Sequence, residues 1–207
     1  MAPAQLLFLR CGGTAESTVE NLLSRGVNEL LTKAGFKKRE LYFGRRLNRT
    51  TQYIWFQPNE HQNGQLFVNA MLSLDELCVQ DKQPTVIDYL ARNVQFSWRL
   101  EQFDQDVPRW WQLGVTTDLT AVANEIMKAL QKPLATLDTY DSAQKVLELY
   151  KFPENTVDYF LRARVKHSIG DFDGAREDFE LACKLSPDRD FSHLPEMWNL
   201  TQLKVNN

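Results

Sequence analysis

Three short runs of aromatic and branched residues, separated by polar turns, most constrain the fold of this chain. They are Leu41–Phe43, Tyr53–Phe56 and Leu66–Leu72. Such residues favour a pleated, half-buried surface. The Asn63-Gly64 pair before the third run is a hairpin signal, because both residues tolerate positive φ. The sequence therefore predicts three strands joined by short turns.

Residues 94–103 show the clearest two-residue alternation in the chain. The apolar positions in this segment are Val94, Phe96, Trp98 and Leu100, and polar residues stand between them. Alternation of this kind is typical of an antiparallel strand with one face in water. We expect a fourth strand here, with Arg99 on its wet face.

Helical periodicity occupies most of the remaining sequence. Apolar residues at three- and four-residue spacing predict one helix over residues 15–35, closed by Gly35. Asp118 is positioned to cap a second helix that runs to about Leu130, and Pro133 should end it. The further predicted helices are 142–150, 157–169, 172–185 and 195–203.

These elements predict an α+β fold: an antiparallel sheet of about four strands packed with helices, followed by a C-terminal all-helical extension. The expected organisation is a flexible arm over residues 1–14, an α+β domain over 15–132 and a C-terminal helical segment over 133–207.

Composition excludes several functional classes. The net charge of −3 over 207 residues argues against a general nucleic-acid binder. No segment approaches the ~20 apolar residues of a membrane span, and the N-terminal residues lack the pattern of a secretory signal. Three widely spaced cysteines are expected to be free thiols in a reducing compartment, so we expect a cytoplasmic protein. The three histidines stand alone, so neither a metal site nor a cofactor is expected.

A basic stretch coincides with the first strands. Residues 33–49 contain seven basic side chains and one acid, a local charge of +6. Basic residues often protect a sheet edge from aggregation, and they can equally bind an acidic partner. Arginine, tyrosine and tryptophan are enriched at interface hot spots. On the second interpretation the candidate partner-binding residues are Arg45, Arg46, Arg49, Tyr53 and Trp55.

The C-terminal part is acidic instead. Residues 171–190 contain seven acids and three bases, a local charge of −4. An acidic surface can bind a basic cleft by charge complementarity. On this interpretation the candidate partner-binding residues are Asp171, Asp173, Glu177 and Asp178. The sequence does not choose between the basic and the acidic surface.

The segment GDFDGAREDFELACKLSP, residues 170–187, resembles the second half of a tetratricopeptide repeat. Small and aromatic residues occupy that repeat's positions, and Pro187 its terminal proline. Residues Arg162 and Lys166 of the preceding helix stand where apolar or aromatic residues are usual. The resemblance implies a helical hairpin, and stacked repeats of this kind often bind peptides.

A second resemblance covers about residues 18–150. Its motifs are Gly35-Phe36-Lys37-Lys38, Phe43, Arg45-Arg46, Phe56-Gln57, Phe67-Val68-Asn69 and Trp110-Trp111-Gln112-Leu113. The chain looks like a bacterial family known as domain of unknown function 4304. That resemblance implies a small α+β domain with no established activity. By analogy, small bacterial domains of this type often act as immunity proteins beside secreted toxins.

The chain contains no phosphate-binding loop, nucleophile elbow, zinc-protease motif or dinucleotide fingerprint. We therefore expect no catalytic residues and favour a protein-binding module that occludes a cognate toxin, acting as a monomer or weak dimer. The alternatives are an adaptor that binds a peptide through the helical hairpin, and an enzyme of a type that the motifs do not reveal.

Overall fold

The computed structural model describes residues 15–59, 64–74, 95–153 and 156–187. The strands are β1 (Lys37–Arg39), β2 (Tyr42–Leu47), β3 (Thr50–Pro58), β4 (Gln65–Leu74), β5 (Phe96–Arg99) and β6 (Trp111–Gln112). The helices are α1 (Ala15–Leu23), α2 (Val27–Lys33), α3 (Leu119–Ala129), α4 (Gln131–Thr139), α5 (Ala143–Leu147), α6 (Thr156–Ser168) and α7 (Phe172–Leu185), with short 3-10 turns at Leu100–Gln102 and Glu148–Tyr150.

The strands form one antiparallel sheet in the order β1-β2-β3-β4-β5, and β6 pairs with the start of β4. The register places Ala70 opposite Trp98 and Leu66 opposite Trp111. This arrangement confirms the predicted α+β fold with an antiparallel sheet and C-terminal helices.

The N-terminal helical segment differs from its prediction. The expected single helix over residues 15–35 is wrong, because α1 ends at Leu23 and α2 begins at Val27. Gly26 separates them with φ +103°, a backbone conformation outside the helix, and a Cβ there would lie 3.2 Å from the Met127 sulfur. Gly35, at φ +84°, follows α2 as predicted.

Three further features differ from their predictions. Strand β1, which contains only Lys and Arg and pairs with β2, was not predicted. The strand expected over residues 94–103 stops at Arg99, where the 3-10 turn begins. Helix α3 ends at Ala129, next to its predicted end at about Leu130, but Pro133 is not the break that was expected after it. Pro133 lies in the first turn of α4, where the helix needs no N–H donor from it.

The chain divides into two compact units. The first contains described residues 15–47, 51–59, 64–72 and 95–138. In it, one face of the sheet packs against helices: the indole nitrogen of Trp111 donates to Glu125 of α3, and the side-chain amide of Gln52 donates to the Leu137 carbonyl of α4. Rings of Phe43 and Phe56 pack edge-on across that same face, 5.8 Å apart.

The second unit contains described residues 48–50, 73–74, 139–153 and 156–187. Helices α6 and α7 form the expected hairpin, and its core is Phe160, Ala163, Ala175, Phe179 and Ala182. The arm expected over residues 1–14 and the helix expected over 195–203 lie outside the described residues, and the predicted domain bounds stay a prediction. Within the described ranges, none of the helices combines the length and the apolar character needed to cross a bilayer.

Candidate functional site

Strand alternation separates the predicted basic and aromatic residues onto two faces of the sheet. Rings of Tyr42 and Tyr53 lie 6.4 Å apart, and a Cβ on Gly44 would lie 3.3 Å from the Tyr53 ring. These residues share one face with Arg46 and Trp55, which follow them at two-residue spacing. That face is opposite the one that packs against helices α3 and α4.

Arg45 points to the helix-packed face of the sheet, opposite the face that carries Arg46 and Trp55. Its side chain is only 13% exposed and forms an ion pair with Asp138. Two further donors of the guanidinium are used by the Ala34 carbonyl, at 2.7 Å, and the Gln52 side chain, at 2.9 Å. Three of the five N–H donors of this guanidinium are therefore used inside the protein, and its role as a partner contact stays a prediction.

The other predicted basic-surface residues differ in exposure. Tyr53 is buried, and its role as a partner contact stays a prediction. Trp55 is half-buried, and Arg46 is exposed on the same face. Arg49 is exposed in the turn between β2 and β3, next to Asn48 at φ +52°.

The predicted acidic residues also divide. Asp171 caps α7 by accepting the Gly174 N–H at 3.0 Å, and Asp173 and Glu177 are exposed. Asp178 is buried at 2% exposure, and its carboxylate accepts from Arg162 at 2.5 Å and 2.7 Å and from Lys166 at 2.9 Å. Asp178 therefore holds the hairpin together, and its assignment to a docking surface stays a prediction.

Three residues that the sequence did not single out complete the outer face of the sheet. The Arg99 guanidinium carbon lies 4.2 Å from the centroid of the Phe67 ring. The Trp110 ring packs edge-on to Phe67 at 6.3 Å, and Trp110 is 39% exposed. Alternation placed Arg99 on a wet face, but only the register of Asn69 opposite Arg99 brings it to Phe67.

Beside this cluster lies an open concavity of about 550 Å³. It is lined by Ser97, Arg99, Glu101, Gln102 and Arg109. Two of these lining residues are joined, because the Arg99 backbone N–H donates to the Gln102 side chain at 2.7 Å. We refer to Arg46, Trp55, Phe67, Arg99, Arg109 and Trp110 together as the arginine–aromatic face.

Two titratable groups elsewhere in the described residues have pKa values that local hydrogen bonds shift. The hydrogen bond from Lys132, followed by that from the Asp106 N–H, holds the pKa of Asp104 below its ordinary value. Hydrogen bonding to Asp178 raises the pKa of Arg162. In the ranges that the structure describes, no three His, Cys, Asp or Glu side chains are grouped closely enough to hold a metal ion.

The fold and this face define the class of protein: an α+β domain whose antiparallel sheet packs helices on one side and presents arginine and aromatic side chains on the other. Its family model, Domain of unknown function (DUF4304), matches residues 27–180, and the chain belongs to that family. The match confirms the resemblance seen in the sequence and extends into α7. No curated protein and no solved structure matches the chain.

Proposed function

We propose that this chain is a non-catalytic protein-binding module that neutralises a cognate bacterial toxin, using the arginine–aromatic face to occlude the toxin's active or docking site. The observation that carries this proposal is the packing of Arg99 and Trp110 on Phe67. Arginine and tryptophan are the residues most enriched at interface hot spots, and here both are held in place before any partner binds.

The strand that carries these residues is held on both sides, and this favours a binding role for the arginine–aromatic face. Phe67 and Asn69 lie on β4, which is hydrogen-bonded to strands on both sides. The Asn69 side chain donates to Gln57 on β3 at 3.3 Å, which joins the two central strands on this face. A contact surface built on paired strands loses little conformational freedom on association, and this lowers the cost of binding.

The experiment uses the toxin domain encoded by the neighbouring gene. We expect the full chain to bind that domain with nanomolar affinity and to rescue cells that express it. Trp110→Ala should weaken binding by about 2 kcal/mol or more, because it removes the most exposed aromatic of the face. Leu185→Ala truncates an exposed apolar side chain of α7 and is the matched control.

The proposal fails if the chain neither binds the domain nor rescues the cells. Full binding by Trp110→Ala would show that another surface makes the contact.

An adaptor that binds a peptide through the helical hairpin is the second candidate. Its support is the exposure of Leu181 and Leu185, at 39% and 56%, one turn apart on α7, the helix that also carries Asp173 and Glu177. This reading predicts the reverse result: Leu185→Ala or Asp173→Lys weakens binding and Trp110→Ala does not.

A further inference from the structure

We infer, resting on the proposed function, that Arg99 and Arg109 form a carboxylate-binding site and that the partner docks through an acidic polypeptide segment with apolar side chains between its acids. Both arginines line the concavity beside β5.

The charge of the concavity supports an anionic ligand. Its lining contains two guanidinium groups and one acid, Glu101, a balance of +1 at neutral pH. Within the described parts of the chain, neither Arg99 nor Arg109 has a carboxylate at ion-pair distance, whereas Arg45 and Arg162 each do. Among the described residues, these two cations differ in this respect from the arginines that join elements of the fold, and this favours a carboxylate ligand from a partner.

The geometry of Arg99 suits a planar anion. Its guanidinium lies over the Phe67 ring, which holds the side chain in place by a cation–π contact. A cation–π contact uses none of the N–H donors of the guanidinium for a hydrogen bond. A carboxylate can accept two such N–H groups at once.

Phe67 and Trp110 add an apolar contact next to the charged one. Their rings meet edge-on, and Trp110 is exposed on one side. An aliphatic side chain adjacent to the bound carboxylate would bury apolar surface there, so an acidic segment with interspersed leucine or similar residues fits both parts. A polyphosphate backbone is a poorer fit, because Glu101 lines the same concavity and the whole chain carries a charge of −3.

The test is an NMR titration of the full chain with two acetylated, amidated peptides, Glu-Leu-Asp-Glu-Leu and its neutral counterpart Gln-Leu-Asn-Gln-Leu. We expect the acidic peptide to shift the backbone signals of Arg99 and Arg109 and the indole signal of Trp110. The neutral peptide should bind at least about tenfold more weakly, because it lacks the charge-assisted hydrogen bonds. The affinity of the acidic peptide should also fall as salt is raised.

Two arginine variants define the site. Arg109→Gln and Arg99→Gln should each lower the affinity for the acidic peptide by about tenfold. Arg109 is exposed and lies outside β5, so its variant tests the site even if Arg99→Gln disturbs that strand. Lys184→Gln, at an exposed position of α7, is the charge-matched control and should bind like the original chain.

Equal binding of the two peptides, or acidic-peptide binding unchanged by Arg109→Gln, overturns the inference. Tighter binding of an oligothymidylate than of the acidic peptide also overturns it, since the site would then recognise nucleic acid. These failures are distinct from failure of the proposed function: a toxin domain that still binds Arg99→Gln and Arg109→Gln at full affinity refutes only the acidic docking segment. An acidic peptide that docks while no toxin is neutralised refutes only the toxin assignment.

Discussion

Arg45 on β2 and Asp138 on α4 stand 93 positions apart in the chain and form an ion pair. The same guanidinium donates to the Ala34 carbonyl just after α2 and to Gln52 on β3. Its carbon also lies 4.4 Å from the centroid of the Phe36 ring. One side chain therefore connects two helices and two strands on the helix-packed face of the sheet.

Arg45→Ala should lower the free energy of unfolding by about 3 kcal/mol, because it leaves the Gln52 and Ala34 acceptors without their donor in a largely buried place. Asp138→Asn should cost less than about 1 kcal/mol, since Asp138 is 59% exposed and water can replace it. Urea unfolding followed by circular dichroism measures both. Equal losses in the two variants would mean that the ion pair, and not the carbonyl and amide contacts, supplies the stability.

Gly64→Ala should destabilise the chain by about 3 kcal/mol or more, or prevent folding. Gly64 has φ +81°, and a Cβ there would lie 2.0 Å from the Leu113 carbonyl oxygen, so the backbone would have to shift. Gly170→Ala is the matched control, because Gly170 has φ +86° but a Cβ there would meet no atom of the described residues within 4 Å, chain neighbours aside.

Gly170→Ala should lower the free energy of unfolding by only about 1 kcal/mol, the cost of a left-handed backbone conformation alone. The difference between the two variants, measured by thermal and urea unfolding, isolates the steric contribution at the contact between Gly64 and Leu113. A loss at Gly64 no larger than at Gly170 would show that this contact is not as close as described.

Much of this architecture was readable from patterns that are local in sequence. Alternation and turn residues predicted the central strands, and the Asp118 cap is observed, with its carboxylate accepting the Thr120 and Ala121 N–H groups. Strand β1 was not readable, because Lys37–Arg39 has no apolar residue and forms only through pairing with Tyr42–Gly44. Likewise, Arg99 meets Phe67 through the pairing register, which no local pattern specifies.

The buried acid Asp178 shows a signal that was present and misread. Asp178 lies at helical spacing with Ala175 and Ala182, which form the inner side of α7. Arg162 and Lys166, noted as departures from the tetratricopeptide pattern, are its partners. The charges of Asp178, Arg162 and Lys166 compensate one another. They therefore had to be interpreted together and not as separate surface charges.

Asp178→Asn should therefore lower the free energy of unfolding by about 3 kcal/mol, because it removes the charge that balances two partly buried cations. Amide hydrogen exchange should accelerate in α6 and α7 before it does so in the sheet. Asp173→Asn, one turn away and exposed, should change stability by less than about 0.5 kcal/mol. An Asp178→Asn variant that is as stable as the original chain would contradict the role given to this carboxylate.

Tyr150 should make the chain less stable at alkaline pH. Burial, followed by the nearby Asp158 carboxylate, raises the pKa of the Tyr150 phenol well above its ordinary value of 10.0. Below pH 10 both folded and unfolded forms keep the proton. Above it the unfolded chain loses the proton and the folded chain retains it, so the free energy of unfolding falls as pH rises, by up to about 1.4 kcal/mol per pH unit.

Tyr150→Phe removes this proton from both states, so its stability should fall less steeply than that of the original chain above pH 10. Urea unfolding of the two proteins between pH 7 and pH 11 measures the difference, and the values below pH 9 provide the reference because the phenol is neutral in both states there. Parallel profiles over the whole range would mean that Tyr150 ionises as readily in the folded protein as in the unfolded chain. Such a result would contradict the burial of its ring beside α6.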